Sequence, residues 1–271
     1  MSTLVAVHAH PDDECLLQSG SLSKAVDAGH RVVVVYATGG ELGQVPDGLL
    51  EPGELLVDRR RREAEASAAA TGAQRIVWLG YHDSGMEGSP ENDDPACFWR
   101  ADVDEAARRL ADVLDGERAD VVTFYDPHGN YGHPDHVQVH RVGVRAAELA
   151  GTPHAFEVTW SRETAMRLIA EARRNGIGGF DANDTDVDLN LEDPNVTFGM
   201  RDADITTRVD VVAWLDRKRA AIAAHASQVG DTGPFLAMPD EMFRRALGTE
   251  YYVRHGVAPS TPDDDLFAGL A

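Results

Sequence analysis

The stretch Leu4–Asp13 reads LVAVHAHPDD, and the stretch Val121–His136 reads VVTFYDPHGNYGHPDH. Each begins with an apolar run, which is typical of a buried strand, and continues directly into a polar block built on His-Pro-Asp. Two such strands can lie side by side in a parallel sheet. Because ligands of open α/β sheets bind in the crevice at the carboxyl ends of the strands, the sequence predicts that both polar blocks meet in one crevice.

The rest of the chain alternates strand and helix patterns. Alternation of this kind favours βαβ units, so we predict an α/β fold with a Rossmann-like, mostly parallel sheet and flanking helices. The predicted strands are Leu4–His8, Val32–Tyr36, Arg75–Leu79, Val121–Phe124 and His154–Trp160. The predicted helices are Leu16–Ala28, Glu54–Thr71, Ala101–Leu114, Val137–Leu149, Glu163–Arg174 and Val209–Ala226.

No clean linker divides the 271 residues, so we predict a single domain over residues 1–271. Residues 1–160 would form the sheet core that carries both polar blocks. Residues 161–271 would form a C-terminal elaboration that ends in a tail. Within it, residues 175–204 are rich in Gly, Asp and Asn and are predicted as loop or edge structure.

Composition limits the classes of partner. The chain has 25 Lys and Arg against 46 Asp and Glu, and the net charge of −21 disfavours nucleic acid and anionic membrane surfaces as partners. Cys15 and Cys97 are too few for a disulfide scaffold or a cysteine-based metal centre. No apolar run reaches the roughly 20 residues of a membrane span, and no signal peptide precedes the first strand. We therefore predict a cytoplasmic protein with a small-molecule substrate, and we leave formation of a homo-oligomer open.

The polar blocks have the composition of a metal site. His10 and Asp13 are three residues apart on a turn that Pro11 makes rigid, and His133 and His136 have the same separation. A single His-Pro-Asp block is usually only a capped turn, but two blocks that both follow strands supply convergent ligands. His10, Asp13 and His136 would suit a cation such as Zn²⁺ and leave a fourth position open, as in catalytic zinc sites.

The two blocks resemble the signature motifs of the LmbE-like/PIG-L family of zinc-dependent N-deacetylases. This family includes the deacetylase of mycothiol biosynthesis and the mycothiol S-conjugate amidase. The similarity covers most of residues 3–145 and continues more weakly to about residue 254. It rests on the segments Ala9–Glu14 (AHPDDE), Thr38–Gly43 (TGGELG), Leu79–Met86 (LGYHDSGM), Gly132–His136 (GHPDH) and Ala224–Gln228 (AHASQ).

The resemblance implies an amide hydrolase with the same three metal ligands and one Zn²⁺, or another divalent transition metal, per chain. It also implies Asp12 as the base that activates water and Tyr131 as a donor to the developing oxyanion. It implies His133, oriented by Asp135, as the acid or electrostatic partner of the leaving amine. These roles fit amide hydrolysis, which needs a polarised carbonyl, a nucleophile and a proton for the departing nitrogen. A carboxylate beside His133 would keep the imidazole protonated at neutral pH.

Contacts with substrate follow from the same resemblance. Arg60 and Asp83 match positions that hold the sugar or inositol part of the substrate in mycothiol-type members. Leu17 stands where those members carry a polar or basic residue. Together with Leu16 it indicates either a more apolar ligand or a helix packed against the sheet. Further along, Lys218 and His225 share one face of the late helix, which we interpret as a polar face.

The favoured function is de-N-acetylation of a small molecule that contains N-acetylglucosamine. One alternative is an amidase that acts on thiol conjugates of the mycothiol type, because the same catalytic residues serve both reactions. An alternative of another class is a non-catalytic module whose loops at Gly39-Gly40 and Gly129 bind a nucleotide or phosphate. The chain lacks both the G-x-G-x-x-G turn and the P-loop that such a module would use.

Overall fold

The computed structural model describes residues 1–174, 198–258 and 263–270. Most of the predicted loop at 175–204 lies outside these ranges. The strands are β1 (Thr3–His8), β2 (Arg31–Thr38), β3 (Arg75–Tyr81), β4 (Val121–Tyr125), β5 (His154–Thr159), β6 (Thr207–Asp210) and β7 (Thr249–Arg254). The α-helices are α1 (Asp13–Leu17), α2 (Ser19–Asp27), α3 (Leu56–Thr71), α4 (Val103–Glu117), α5 (Gly129–Gly132), α6 (Pro134–Ala150), α7 (Arg162–Arg174), α8 (Leu215–Ala224), α9 (Val229–Leu236) and α10 (Asp240–Leu247).

The described strands form one sheet in the order β3-β2-β1-β4-β5-β7-β6. The first five strands are parallel, whereas β7 pairs antiparallel with both β5 and β6. The prediction that the two apolar runs are neighbouring strands is confirmed, because β1 and β4 pair in parallel. The chain order reverses between them, so the site of ligand binding in α/β sheets lies at their carboxyl ends.

The C-terminal part of the chain contributes to the sheet itself. The predicted helix Val209–Ala226 is wrong at its start, because Thr207–Asp210 pairs with Thr249–Arg254 and the helix begins at Leu215. Only four residues separate the end of β6 from the start of α8, so the sequence pattern does not divide the two. The pairing with β7 decides that the first part is a strand. The strands β6 and β7 therefore belong to the sheet that the sequence assigned to residues 1–160.

The predicted first helix is also interrupted. Gln18 adopts φ −148° between α1 and α2, and its side chain turns inward. Its amide nitrogen lies 2.6 Å from His8 Nε2, and its amide oxygen accepts from Thr123 Oγ1 at 3.0 Å. These contacts to β1 and β4 fix the kink that sends α1 over the carboxyl end of β1.

The central strands are buried on both faces, as the apolar runs predict. Around them α4 packs against α6, and α3 packs against α8. Gly143 of α6 lies directly on Phe124, so close that a β-carbon there would be 2.4 Å from the ring. This packing fixes α6, whose first turn carries the second His-Pro-Asp block. Every helix within the described ranges falls short of the length or hydrophobicity that a membrane span requires.

Candidate active site

The carboxyl ends of β1 and β4 bring the two His-Pro-Asp blocks into contact. The ring centroids of His10 and His133 are 4.7 Å apart, and those of His10 and His136 are 5.3 Å apart. One ligand atom from each of these three buried side chains lies within 4.8 Å of the other two. The switch point of the sheet therefore holds a cluster of imidazoles that can bind a metal ion.

Asp13 adds a carboxylate to this candidate metal centre. Its Oδ1 lies 3.3 Å from His136 Nε2, and its Oδ2 lies 3.6 Å from His10 Nδ1. Ligand atoms at the corners of a zinc tetrahedron are about 3.3–3.5 Å apart, given bonds of about 2.0–2.1 Å, and the pair Asp13 Oδ1 and His136 Nε2 has this spacing. The Tyr125 hydroxyl donates to Asp13 Oδ2 at 2.8 Å and fixes the carboxylate, a contact that the sequence interpretation missed.

Carboxylates surround His10 and give the candidate metal centre a negative electrostatic potential. His10 Nε2 lies 3.1 Å from Asp135 Oδ2 and 3.6 Å from Asp83 Oδ1. Burial lowers the pKa of His10, but the neighbouring carboxylates, above all Asp83, raise it well beyond its usual value of 6.5. The field that stabilises an imidazolium here also stabilises a divalent cation, because both place positive charge among the same oxygens.

Asp12 stands beside the cluster in a strained backbone conformation. Its φ of 125° and ψ of −27° belong to a region that costs a non-glycine residue about 1–3 kcal/mol. Its N–H donates to Glu14 Oε2 at 3.0 Å, its carbonyl accepts from Cys15 Sγ at 2.8 Å, and its Oδ1 accepts from Arg60 Nη2 at 2.9 Å. Burial raises the pKa of Asp12 from 3.8 to about 7, although Arg60 opposes this. A carboxylate with such a pKa suits general-base catalysis near neutral pH.

Glu14 connects Asp12 to a buried polar network. Besides the Asp12 amide, it binds His225 Nε2 at 2.8 Å and Ser67 Oγ at 2.5 Å. Burial raises the pKa of Glu14, but the charge and hydrogen bond of His225 outweigh it and bring the pKa to about 2. The interpretation of Lys218 and His225 as a polar face is wrong, because both are fully buried. The signal that could have found His225 is its place in the segment Ala224–Gln228.

The structure corrects the expected orientation of His133. The Asp135 carboxylate does not contact this ring; it lies on His10 and accepts from the Ser84 backbone N–H at 3.0 Å and from the Ser84 hydroxyl. Instead, the backbone N–H of Asp135 donates to His133 Nδ1 at 3.1 Å, so that His133 caps the N-terminus of α6. Burial, followed by the charges of His10 and His136, lowers the pKa of His133 to about 2. His133 is therefore neutral and carries its proton on Nε2, contrary to the expectation of an imidazolium.

The connection from β4 to α6, a loop that includes the single-turn helix α5, places Tyr131 at the rim of the cluster. The Tyr131 hydroxyl lies 3.4 Å from His136 Nε2, and the side chain is 46% exposed. Asp126 organises the loop, since its Oδ1 accepts from the backbone N–H groups of His128 and Asn130. Gly129 passes against His136 with φ 61°, and a β-carbon there would lie 2.6 Å from His136 Cβ. The glycine thus allows the loop to close over the candidate ligand.

Arg60 and Asp83 both line the cavity over the site, although each already has partners within the protein. Arg60 is 3% exposed and donates to the carbonyls of Gly40 and Pro11 as well as to Asp12. The Asp83 carboxylate accepts from the backbone N–H groups of Leu42 and Gly85 and lies near His10. Leu17 packs into the core and does not line the cavity, whereas Leu16 does line it.

Comparison with known proteins agrees with this geometry. The model of the PIG-L family, described as GlcNAc-PI de-N-acetylase, matches residues 5–147. A 1D-myo-inositol 2-acetamido-2-deoxy-alpha-D-glucopyranoside deacetylase from Acidothermus cellulolyticus is 40% identical over 288 residues, covering 99% of this chain and 95% of the relative. The protein of the same name from Thermomonospora curvata is 39% identical, covering 98% of this chain and 96% of the relative.

Solved structures share the fold at lower identity. GalB, the 4-carboxy-2-hydroxymuconate hydratase of Pseudomonas putida, superimposes with a TM-score of 0.63 at 19% identity and covers 96% of this chain and 98% of its own. The N,N'-diacetylchitobiose deacetylase of Pyrococcus horikoshii superimposes with a TM-score of 0.56 at 23% identity, covering 93% and 82%. Together with the family match and the full-length relatives, the paired His-Pro-Asp blocks establish that this chain belongs to the PIG-L family of de-N-acetylases.

Proposed function

We propose that this protein is a zinc-dependent hydrolase that removes the acetyl group from an N-acetylglucosamine unit of a small molecule. The observation that supports this most directly is the convergence of His10, Asp13 and His136 beside a buried, arginine-bound Asp12. Relatives named as inositol-linked glucosamine deacetylases over the full length support the substrate class. The predicted cytoplasmic location is part of the same proposal.

His10, Asp13 and His136 would hold the metal, since one oxygen of the Asp13 carboxylate lies 3.3 Å from His136 Nε2 and the other lies 3.6 Å from His10 Nδ1. When bound, Zn²⁺ supplies a Lewis acid that polarises the amide carbonyl and lowers the pKa of water toward about 7. The remaining chemistry belongs to side chains of the chain itself. His133 is left out of this ligand set because its Nδ1 accepts from the backbone at the start of α6, so that its other ring nitrogen, Nε2, carries the proton.

Asp12 would act as the base. Its carboxylate takes a proton from the attacking water as the water oxygen bonds to the amide carbon, and it then returns this proton to the nitrogen as the C–N bond breaks. Arg60 is a positioning residue in this scheme, because its guanidinium holds Asp12 Oδ1 and the backbone around it. Glu14 holds the Asp12 N–H from the other side.

His133 would act as a neutral hydrogen-bond donor. With Nδ1 accepting from the α6 backbone, Nε2–H is available to stabilise the charge that develops on the substrate. The helix N-terminus disfavours a second proton on the ring, so an uncharged imidazole is the species that the fold selects. The Tyr131 hydroxyl, on the other side of His136, would donate to the developing oxyanion.

Two alternatives receive less support. An amidase acting on thiol conjugates would use the same residues, and no described contact favours it over deacetylation. A nucleotide-binding module would need the Gly39-Gly40 loop to be open. Instead, the Arg60 guanidinium fills the space beside Gly40 and binds its carbonyl.

The test compares Asp12→Asn with Asp13→Asn. Asp12→Asn should keep the metal, because the substituted side chain is nearly isosteric and is not a ligand, and should lower kcat by about 10²–10⁴-fold with KM little changed. Asp13→Asn should lose metal, because it removes a charged ligand oxygen. The measurements are zinc content by elemental analysis and amine release from N-acetylglucosamine derivatives.

Asp94→Asn serves as the matched control, since this carboxylate lies on the surface and should change neither value. If Asp12→Asn loses zinc while Asp13→Asn retains it, the roles of the two carboxylates are reversed. If the wild-type protein loaded with zinc releases no amine from any member of the panel, the proposed deacetylase function is refuted.

A further inference from the structure

The cavity over the site extends well past the catalytic cluster. Its volume is about 690 Å³, within the range of about 300–1,000 Å³ that is typical of small-molecule pockets. One end is lined by His10, Asp12 and His133, and the other end is formed by α7, α9 and α10. An acetyl group has only two carbons, so the cavity has room for a further part of the substrate.

The far end of the cavity is apolar. Trp160 stacks on Phe235 with ring centroids 6.4 Å apart and an interplanar angle of 14°, and both line the cavity. Met238 and Met242 form the floor beside Leu168, and they belong to a hydrophobic cluster separate from the sheet core. Such a wall gains free energy from covering an apolar group and offers few hydrogen bonds to a hydroxylated one.

The same cavity offers little to an anionic substituent. Among the described lining residues Arg60 is the only lysine or arginine, and its Nη atoms are bound to Asp12 and to backbone carbonyls. Nearby polar groups are engaged as well: Ser161 Oγ donates to Asp202 Oδ1 at 2.6 Å, and Gln228 Nε2 donates to Ser227 Oγ at 3.0 Å. The net charge of −21 also repels anions.

We propose that the apolar end of this cavity binds an uncharged, apolar substituent carried by the amino-sugar substrate. This inference rests on the proposed deacetylase function and narrows its substrate class. An apolar chain could be attached either to the nitrogen, as a longer acyl group, or to the anomeric oxygen, as an alkyl or aryl group. Both attachments present the same chemistry to Trp160, Leu168 and Met242.

The experiment measures amine release by the zinc-loaded full chain on two substrate series. One series lengthens the N-acyl group of methyl glucosaminide from acetyl to octanoyl, and the other lengthens the glycosidic alkyl group of N-acetylglucosamine from methyl to octyl. In the series that enters the cavity, kcat/KM should rise by about two- to fourfold for each added methylene until the space is filled. The series that responds identifies the point of attachment.

A third set of substrates ends the same chains in a carboxylate or a phosphodiester. We expect these to lose the whole gain from chain length, because none of the described residues that line the apolar end is a lysine or arginine. Equal or better turnover of the anionic substrates would overturn the claim that the substituent is uncharged. Equal turnover of methyl and octyl compounds in both series would overturn the subsite but leave the deacetylase function intact, whereas no turnover of any compound would refute the function itself.

Leu168→Lys tests the position of the subsite. Leu168 is only partly buried, so the lysine can extend into the cavity, and this variant should lose preference for the octyl chain and gain turnover of the carboxylate-ended one. Leu168→Met is the matched control and should behave as wild type. A Leu168→Lys variant that folds with an unchanged Tm and keeps the full octyl preference would contradict the placement. Should it fail to fold, the wild-type chain-length series decides.

Discussion

His225→Ala should destabilise the protein far more than loss of a surface ion pair. His225 and Glu14 are almost fully buried and their atoms are 2.8 Å apart. Removing the imidazole leaves the Glu14 carboxylate without its compensating charge in a site that water does not reach. Breaking a buried pair in this way costs about 3–5 kcal/mol, a large part of the 5–15 kcal/mol by which most domains are stable.

Arg245→Ala is the matched control. Arg245 pairs with Glu171 on the surface, where its side chain is 47% exposed, and exposed pairs contribute only about 0–1 kcal/mol. Both substitutions truncate a cationic partner to alanine and leave a glutamate behind. The difference between the two losses in the free energy of unfolding therefore separates the effect of burial from the effect of losing an ion pair.

Urea unfolding followed by circular dichroism measures both variants. With an m-value of about 3 kcal/mol/M, His225→Ala should lower the midpoint by about 1–1.7 M, whereas Arg245→Ala should lower it by at most about 0.3 M. The reasoning about the buried network would be wrong if the two variants lost similar free energies of unfolding. A changed m-value would show that His225→Ala alters the unfolding transition itself.

The pH dependence gives a second check on the same pair. Glu14 has its pKa lowered from 4.5 to about 2, so its contribution is present above pH 4.5 and is lost as the pH falls toward 2. His225 has its pKa raised above 6.5, so its contribution is present below pH 6.5 and is lost as the pH rises through the folded value. The difference in stability between wild type and His225→Ala should therefore be largest between pH 4.5 and 6.5.

Three further predictions concern the base, the oxyanion donor and the packing of α6. Burial raises the pKa of Asp12 to about 7 against the lowering effect of Arg60, so kcat/KM should fall as the pH drops through 7. Arg60→Met removes the lowering effect and should move this fall in kcat/KM to higher pH. An unchanged pH profile would contradict the assignment of Asp12 as the base. Tyr131→Phe should lower kcat by about 10²–10³-fold with KM and zinc content preserved, and unchanged turnover would exclude Tyr131 as the donor. Gly143→Ala should cost about 1–3 kcal/mol of stability through its clash with Phe124, whereas Gly116→Ala, with open space around it, should be neutral or stabilising in the same urea assay.

The sequence by itself determined the strand core and the place of the site. The apolar runs Leu4–Val7 and Val121–Phe124 form strands that are buried on both faces, as apolar runs of this length predict, and they are neighbours in the sheet. The polar blocks that follow them in the chain then meet, because parallel strands end at one edge. The sequence thus predicted the crevice, and the parallel pairing of β1 with β4 places Asp13 Oδ1 3.3 Å from His136 Nε2 and Asp13 Oδ2 3.6 Å from His10 Nδ1.

Only the tertiary structure decided what supports these residues. The partner of Glu14 is His225, more than 200 residues away, and no spacing in the sequence connects them. The neutral state of His133 follows from its position as the cap of α6 and from burial among other imidazoles, whereas the sequence placed only Asp135 beside it. The strand Thr207–Asp210 likewise forms because Thr249–Arg254 offers it a pairing edge. Periodicity and motif spacing report short-range order, while burial, charge compensation and pairing depend on which distant segments the fold brings together.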